Sequence, residues 1–440
     1  MTFTNFPIPT APFEQSTFLS AGSSTPRSLA GRFADIVNVM DFGALNNNTG
    51  DNSAAFANAA GHLNLNRGGV VFVPPGIYAF TAPFDIPRFA PGGGWTPTVD
   101  FYMSGAMLTT SSAISTFRRL PIDQNDAANV LQGTKIRFHG GLFNGTNVAG
   151  QKGIDLGATY TALVEDVFFQ SLDVGLELAF CLGARVVGCH SIGCVSHDFV
   201  ARCGDGKWSG AGTSNSQSNH TTFEGCRAYS ANGAIANYKV AGSSGVSIRN
   251  CIAEGSNPTS SILFDGQGSP VVKSFTVDNF HCEHFPSDAI IKMTGAGGGV
   301  YRFQQVHSTT AHRFLNSSGL SSGIYAIRDT PYVESYFFNG PAFTLDAGGA
   351  ASAILIENWG GGDRNVADGV WWSGGVTPGN LLYLGHEPAG NGFMVESGQL
   401  KQYYGAALVP NAANDAAAAI AGVPIGGTYR NGNALQIRIA

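Results

Sequence analysis

A four-residue pattern recurs along the middle of the chain: an apolar residue, any residue, a turn-forming residue and a second, mostly apolar residue. Its nine copies begin at residues 138, 164, 186, 223, 248, 277, 303, 327 and 356, which are 22 to 37 residues apart. The third position is mostly Gly, Asn or Asp, the residues that most readily adopt a left-handed backbone. The pattern therefore predicts a strand that turns a two-residue corner into a second strand, once in every repeat.

Repeats of this length predict a solenoid in which successive rungs stack and pair their strands in parallel. One rung alone cannot bury its apolar side, so each rung needs its neighbours. Three successive copies carry a cysteine at the fourth position: Cys189, Cys226 and Cys251. We expect these thiols to form an inward-facing stack, without disulfide or metal, in an all-β parallel β-helix.

The two ends of the chain lack the repeat. Residues 1–34 are rich in Ser, Thr, Pro and Phe without periodicity, which predicts an attachment arm or linker. Apolar residues at helical spacing from Ala55 to Leu63, with Asp51 as the cap, predict a short helix that plugs the first rung. The rung pattern is lost after about residue 360. The predicted division is an arm (1–34), a β-helix domain (35–360) and a separate C-terminal element (361–440).

Composition narrows the choice of partner. The chain has 440 residues, 43% of them hydrophobic, so it can bury a large core. Only 12% are charged and the net charge is −6, which argues against nucleic acid because phosphates require a stripe of Lys and Arg. No apolar run is long enough to span a membrane, and the first residues show no secretory signal. A neutral polar ligand fits this composition, and no cofactor is expected.

Segments near both ends resemble known families. Residues 27–44 (RSLAGRFADIVNVMDFGA) are similar to the opening motif of bacteriophage tailspikes. Residues 51–56 (DNSAAF) and 68–78 (GGVVFVPPGIY) resemble the opening of the pectate-lyase-like right-handed β-helix superfamily, which usually has two adjacent aspartates where this chain has Asp51 and Asn52. Residues 422–438 resemble a closing motif of phage virion proteins.

The resemblance implies a right-handed parallel β-helix, commonly a homotrimer, that is carried on a virion and contacts a polysaccharide of the host cell surface. It also implies that the N-terminal arm attaches the protein to other virion components. Because the superfamily contains lyases, hydrolases and pure binders, cleavage of the glycan stays open. Two other interpretations stay open as well: a free polysaccharide lyase or glycoside hydrolase, and a structural virion protein without glycan activity.

Strand alternation after the corner predicts which side chains face outward. One outward row contains His190, Arg227, Ile252, His281 and His307. The next row contains Ile192, Tyr229, Glu254, Glu283 and Thr309. Glu254 and Glu283 would then be stacked in adjacent rungs about 4.8 Å apart, an arrangement suited to one acid and one base or nucleophile.

The candidate catalytic residues are therefore Glu254, Glu283 and His281. Arg227, Tyr229 and His307 are candidates for binding a sugar, as is Trp208 in the insertion 203–219, because an indole ring can stack on a sugar. The alternative interpretation is a solvated or subunit-covered face on which the glutamates pair with Arg227 or with the histidines.

Other residues have structural interpretations. Asp173, Asp198 and Asp288 each precede an apolar strand at one phase of the repeat, which predicts turn capping. The spacing of residues 281–284 could indicate a metal site, but alternation directs Cys282 inward, so no metal is expected there. Outward-facing Phe168, Ile192 and Ile252 predict a subunit contact, because burying each would stabilise the protein by about 1.5–3 kcal/mol.

Overall fold

The computed structural model of the protein describes the following residues: 17–18, 27–28, 36–63, 68–87, 98–119, 135–204, 218–255, 257–266, 273–283, 286–294, 299–308, 314–317, 324–328, 343–345, 353–357, 372–373, 380–384, 391–396, 399–404, 412–420, 423, 425, 428–431 and 434–439. They fall into two compact units, which are described separately. One comprises Met1–Ser243 with Glu254–Pro258, and the other Ser244–Ala253 with Thr259–Ala440. Within these ranges no helix has the length and apolar character needed to cross a membrane.

The first unit is a parallel β-helix with three columns of strands, called here the first, second and third faces. The first face consists of Ile36–Asn38, Gly68–Phe72, Thr98–Tyr102, Lys135–His139, Leu163–Glu165, Arg185–Val187 and Thr222–Glu224. The second face consists of Gly76–Phe80, Ala106–Thr110, Leu142–Asn144, Phe168–Gln170, His190–Ile192 and Arg227–Tyr229. The third face consists of Phe84–Asp85, Ser115–Arg119, Lys152–Tyr160, Val174–Leu182, His197–Arg202 and Ala236–Ala241. Thr17–Phe18 and Arg27–Ser28 form a separate antiparallel pair.

The second unit has the same design: parallel strands arranged in columns. The strands that precede the corner are Val246–Arg249, Lys273–Glu283, Gly299–Ser308, Ile324–Arg328, Ala353–Glu357 and Asn380–Leu384. A separate column, further along each repeat, consists of Ser260–Asp265, Ala289–Thr294, Leu315–Ser317, Phe343–Leu345 and Trp372–Ser373. The short strand Ile252–Glu254 spans the boundary between the units. Lys273–Glu283 and Gly299–Ser308 each pass through the corner as one strand, and the predicted parallel β-helix is confirmed.

The predicted corner is confirmed at every copy of the pattern that the structure describes. The third residue has a φ between 49° and 68° in each: Gly140, Asp166, Gly188, Gly225, Asn250, Asn279 and Gln305. The copies at 327 and 356 have their third residues outside the described ranges. At position 188 glycine is also needed for space, because a Cβ there would lie 2.7 Å from Oδ1 of Asp166.

Cysteines and aromatic rings fill the interior. Cys189, Cys226 and Cys251 are at most 1% exposed, as predicted, and all seven cysteines are buried thiols outside any disulfide. In the first rungs the core is aromatic: Phe117 contacts six other phenylalanine rings at centroid distances of 4.9 to 6.0 Å. Such packing removes large apolar areas from water.

The predicted helix, α1 (Ser53–His62), plugs this aromatic core. It follows a short 3-10 helix, Val39–Phe42, and buries Phe56 against Tyr78 and Phe80. The expectation that Asp51 is the cap is corrected: Asn52 is the N-cap residue and its side chain bonds elsewhere, donating to the Ala79 carbonyl at 3.0 Å. Asp51 accepts from the backbone N–H of Ser53, the first residue of α1, at 3.4 Å and from that of Thr81 at 2.9 Å, so its carboxylate joins the start of α1 to the chain just after the strand Gly76–Phe80.

Parallel pairing extends beyond residue 360, where the sequence had placed the end of the rung pattern. Trp372–Ser373 and Asn380–Leu384 still pair in parallel, because a backbone ladder does not need the corner signature to continue. Antiparallel strands Asn391–Glu396 and Gln399–Tyr404 follow, then α2 (Asp415–Ile420) and a final antiparallel pair, Thr428–Asn431 with Ala434–Ile437. The division into an arm, a β-helix domain and a C-terminal element stays a prediction.

Candidate functional site

The second face of the first unit carries part of the predicted site. His190 pairs with Arg227, and Ile192 with Tyr229, in adjacent rungs. Ser191, between His190 and Ile192, is fully buried. The alternation predicted from the sequence is therefore confirmed here, and His190, Arg227 and Tyr229 share the outward side of neighbouring strands.

An ion pair joins Arg227 to Glu254, with Nε 2.8 Å from Oε1 and the two side chains 52% and 23% exposed. Beside it lies the Tyr229 ring, 43% exposed. Gly255 makes room for this ring: a Cβ on Gly255 would come within 2.1 Å of it, and its φ of 95° favours glycine. The sequence analysis missed this role, although a glycine directly after a predicted strand was a visible signal.

His190 adds a fourth polar group to this cluster. Burial lowers the pKa of His190, and the charge of Arg227 lowers it further, against an opposing effect of Glu254. The imidazole is therefore neutral near pH 7 and offers one donor and one acceptor. The cluster of His190, Arg227, Tyr229 and Glu254 thus combines donors, acceptors and an exposed aromatic ring, which are the groups that bind a polyhydroxylated ligand.

The second unit carries the other predicted residues. Nε2 of His281 lies 2.7 Å from Oε1 of Glu283, and these side chains are 39% and 50% exposed. His281 pairs with His307 in the next rung, and burial together with the charge of His281 lowers the pKa of His307. Cys282 is fully buried, which confirms its predicted inward direction.

Each of the two glutamates already has a partner. Nε of Arg227 contacts Glu254 at 2.8 Å, and Nε2 of His281 contacts Glu283 at 2.7 Å. The stacking of Glu254 on Glu283 stays a prediction, as do the catalytic and binding roles. Trp208 lies outside the described residues.

A charged cluster on the third face of the first unit was not found from the sequence. Nζ of Lys152 lies 3.2 Å from Asp155 and 2.8 Å from Glu177, and Nε of Arg202 lies 2.5 Å from Glu177. Asp155 pairs with Glu177 in adjacent rungs, so two carboxylates are brought side by side and bridged by one lysine. Ser115 donates a further hydrogen bond to Asp155 at 3.0 Å.

The electrostatics of this cluster favour the charged forms of Glu177 and Lys152. Burial acts to raise the pKa of Glu177, but Lys152 and Arg202 lower it below its usual value. Burial acts to lower the pKa of Lys152, but Asp155 and Glu177 raise it. With every charge paired, the cluster fixes the register of the strands that carry it.

The three aspartates predicted to cap turns behave differently. Asp173 does so, accepting from the backbone N–H of Gly150 at 2.7 Å. For Asp198 the prediction is wrong: it lies inside a strand and is fully buried. Asp288 bonds to Asn316 at 2.9 Å and to Lys292 at 2.8 Å.

Asp198 is the centre of a buried polar network beneath the second face. It accepts hydrogen bonds from Ser191 at 2.5 Å, from Asn237 at 3.1 Å and from Ser230. Ser191 lies within the strand that carries His190, and Ser230 directly follows the strand that carries Tyr229. Burial raises the pKa of Asp198 to about 6, although the hydrogen bonds from Ser191, Ser230 and Asn237 oppose the shift. The network therefore anchors both outward-facing strands of the site.

Comparison with known proteins gives the class of fold. Residues 36–91 match the family model "Rhamnogalacturonase A/epimerase, pectate lyase-like". No curated protein matches the chain significantly. The ORF18 product of Geobacillus virus E2 is similar in structure, with 14% identity and a TM-score of 0.50 over 84% of this chain and 64% of that one. This chain therefore spans less than two thirds of the viral protein.

Two further solved structures are similar. The A-module of the mannuronan C-5 epimerase AlgE6 from Azotobacter vinelandii has 13% identity and a TM-score of 0.50, covering 80% of this chain and 100% of the module. Tailspike protein 3 of bacteriophage CBA120 has 12% identity and a TM-score of 0.44, covering 76% of this chain and 54% of that one. The pectate-lyase-like β-helix that the opening motifs first indicated is confirmed at the level of the fold by the family model and by the viral and epimerase structures.

Proposed function

We propose that the chain is a tailspike-like virion protein that binds a polysaccharide of the host cell surface through the second face. The observation that carries this proposal is the cluster of Arg227, Glu254, Tyr229 and His190. An exposed ring beside a guanidinium, a carboxylate and a neutral imidazole offers both donors and acceptors to sugar hydroxyls. The fold shared with a viral protein and with an epimerase that acts on mannuronan supports the same role.

The charge pattern favours a glycan over an anionic polymer. Arg227 is paired with Glu254, and the whole chain carries only 24 Lys and Arg residues against 30 Asp and Glu. A phosphate-rich partner would require unpaired cations in a stripe. A neutral or weakly charged polysaccharide is therefore the proposed ligand.

Cleavage of the glycan is the second candidate function. It is favoured by the contact between Glu283 and His281, because a carboxylate within 2.7 Å of an imidazole can take up or deliver a proton. In this version Glu254 and Glu283 supply the acid and the base or nucleophile, and His307 helps to hold the sugar. The protein is then a depolymerase, a glycoside hydrolase or a lyase.

The experiment is a screen of the intact protein against host surface polysaccharides, followed by calorimetric titration with the glycan that binds. Arg227→Ala and Tyr229→Ala should each weaken binding about tenfold or more, since hydrogen bonds to charged groups contribute about 1.5–3 kcal/mol. Arg118→Ala is the matched control, because Arg118 forms a similar ion pair with Asp85 on the third face. Unchanged affinity in both test variants contradicts the proposed site, and absence of any glycan binding contradicts the proposed function.

Cleavage is measured on the same glycan by release of new chain ends. Glu254→Gln and Glu283→Gln keep side-chain size while removing charge, and each should lower turnover by about 10²–10⁴-fold with binding retained. Binding without any turnover in the unaltered protein identifies a pure binder.

The proposal includes a homotrimer attached to other virion proteins through residues 1–34. Half-buried apolar residues follow one another along the outward row of the second face, Met107, Leu142 and Phe168, and support a subunit contact there. A stable monomer at micromolar concentration contradicts the trimer. Removal of residues 1–34 should leave fold and glycan binding intact while abolishing attachment to the virion.

A further inference from the structure

Two large aromatic side chains are exposed on the first face of the first unit. Phe72 is 41% exposed and Tyr102 is 43% exposed, and they pair with each other in adjacent rungs. The residues on either side of Tyr102, Phe101 and Met103, are fully buried, so alternation directs the tyrosine ring outward. In this part of the β-helix the interior is filled by aromatic rings, and these two are held outside it.

The same outward row continues with a histidine and a glutamate. Tyr102 pairs with His139, and His139 pairs with Glu165, in successive rungs. The rings of Tyr102 and His139 are stacked, with centroids 4.5 Å apart and planes 17° apart. Nδ1 of His139 lies 3.1 Å from Oε2 of Glu165. Phe72, Tyr102, His139 and Glu165 thus form one continuous row, called here the aromatic row.

The order of groups in the aromatic row suits a ligand. His139 is held between the tyrosine ring and the carboxylate, so its position is fixed from both sides. Among the described residues the ring contact of Tyr102 is with His139, and 43% of Tyr102 remains exposed to solvent. Glu165 keeps 42% of its side chain exposed and has an acceptor available beyond the contact with His139.

A second outward row beside the aromatic row supplies hydrogen-bonding groups. Asp100 pairs with Arg137 in adjacent rungs, and Nε of Arg137 lies 3.8 Å from Oδ1 of Asp100. Their side chains are 20% and 45% exposed. Arg137 and Asp100 carry opposite charges and Glu165 adds a carboxylate, so these described side chains carry no excess of positive charge.

We propose that the aromatic row is a second carbohydrate subsite, separate from the cluster on the second face, that binds a segment of a neutral polysaccharide. Exposed aromatic rings bind the apolar faces of sugar rings, and the balanced donors and acceptors beside them bind hydroxyl groups. The absence of excess positive charge on this surface argues against a phosphorylated or sulfated ligand. The inference rests on the proposed glycan-binding function and adds a second contact for the same polymer.

A second contact changes how the protein holds a long glycan. Binding at one site makes binding at the other intramolecular, so a polymer that reaches both sites binds more tightly than either site alone permits. Short fragments that fill only one site do not gain this effect. The chain length of the glycan is therefore the variable that reveals two sites.

The test compares the intact protein with the double variant Phe72→Ala/Tyr102→Ala, using the polysaccharide found in the screen and fragments of it. The double variant should bind the polymer about tenfold or more weakly, while short fragments that bind at Arg227 and Tyr229 keep their affinity. Leu45→Ala is the matched control, because Leu45 is a large apolar residue of the same unit, 48% exposed, and lies outside the aromatic row. Tyr102→Phe keeps the ring and should retain most of the polymer affinity.

Radical footprinting read by mass spectrometry gives an independent readout. The polymer should protect Phe72 and Tyr102 from oxidation in the unaltered protein. Polymer binding that is unaffected by the double variant overturns the second subsite while leaving the proposed function intact. Protection without glycan, or loss of assembly in the double variant, identifies the row as a subunit contact and also overturns the proposal. A protein that binds no polysaccharide at all overturns both.

Discussion

The early and late rungs of the first unit share one fold but differ in both core and surface. In the early rungs the core is aromatic, centred on Phe117, and the outward row of the second face is apolar, with Met107, Leu142 and Phe168. In the late rungs the core contains the buried network of Asp198, and the same outward row continues as His190 and Arg227. A polar interior thus lies beneath the polar surface.

This contrast shows how a repetitive fold can confine a polar site to a few rungs. An aromatic core stabilises the fold in proportion to the apolar area that it removes from water, and it imposes no hydrogen-bonding direction on the strands around it. A buried carboxylate, in contrast, must have its hydrogen bonds satisfied, so it fixes the positions of the strands that supply them. Asp198 fixes Ser191 and Ser230 in this way; Ser191 lies within the strand of His190, and Ser230 directly follows the strand of Tyr229.

The largest expected effect is in the aromatic core. Phe117→Ala removes a fully buried ring at the centre of the cluster and should lower the free energy of unfolding by about 3–5 kcal/mol. Chemical denaturation followed by circular dichroism measures the change. Phe168→Ala is the control and should cost much less, because its ring lies on the outward row. Equal losses in the two variants contradict the contrast between core and surface.

The second prediction concerns the polar core. Because burial raises the pKa of Asp198 from 3.8 to about 6, the stability it contributes is present below pH 4 and is lost as the pH rises to about 6. The loss amounts to about 3 kcal/mol. Asp198→Asn cannot ionise, so its stability relative to the unaltered protein should increase by that order between pH 4 and pH 7.

Denaturation at several pH values measures this difference. Asp173→Asn is the matched control, because Asp173 lies at a turn with an exposed hydrogen bond to Gly150. A difference between the Asp198 variant and the unaltered protein that stays constant from pH 4 to pH 7 contradicts the raised pKa.

His197, the residue before Asp198, should show the opposite dependence. Burial lowers the pKa of His197 from 6.5 to about 4, and the charge of Lys239 adds to the shift. The stability contributed by the neutral imidazole is present above pH 6.5 and is lost as the pH falls to about 4, again by about 3 kcal/mol. His197→Gln should therefore gain stability relative to the unaltered protein as the pH is lowered.

The two neighbours largely cancel between pH 4 and pH 6, so the unaltered protein should show little pH dependence from this pair. In each single variant, the free energy of unfolding should therefore change with pH as the remaining residue alone dictates. A double variant whose free energy of unfolding varies as little with pH as that of the unaltered protein supports the cancellation. If stability changes with pH in the same direction in both single variants, the cancellation is contradicted.

The smallest effect concerns the thiols. Cys189, Cys226 and Cys251 should react with thiol reagents far more slowly in the folded protein than in denaturant, because all three are at most 1% exposed. At Cys181 burial also raises the pKa of the thiol to about 12, so thiolate is scarce there. Mass spectrometry after timed labelling measures the rates. Rapid labelling of the folded protein contradicts the inward stack.

Several features could be predicted from the sequence because they depend on local conformation. The corner residues, such as Asp166 and Gly188, follow from backbone preference, and the inward direction of Cys226 and Cys282 follows from strand alternation. Helix α1 follows from its spacing of apolar residues. In each case the deciding neighbours lie within a few residues of one another in the chain.

Other features could not be predicted because they depend on the register between rungs. The aromatic row joins Tyr102, His139 and Glu165, which are 26 to 37 residues apart in the sequence and adjacent on the first face. Strand alternation after the corner does not reveal this row, because its residues precede the corner. The third-face cluster was missed for the same reason, since Lys152, Glu177 and Arg202 come from three different strands.

The repeat, the corners and the inward or outward direction of most strand residues follow from local sequence alone, because steric limits on the backbone act between neighbours in the chain. The tertiary structure decided which outward side chains from different rungs became partners, and how deeply Asp198, His197 and Glu177 are buried. Insertions of unequal length between rungs set that register, and the free energy of burying a charge depends on every group that the register brings around it.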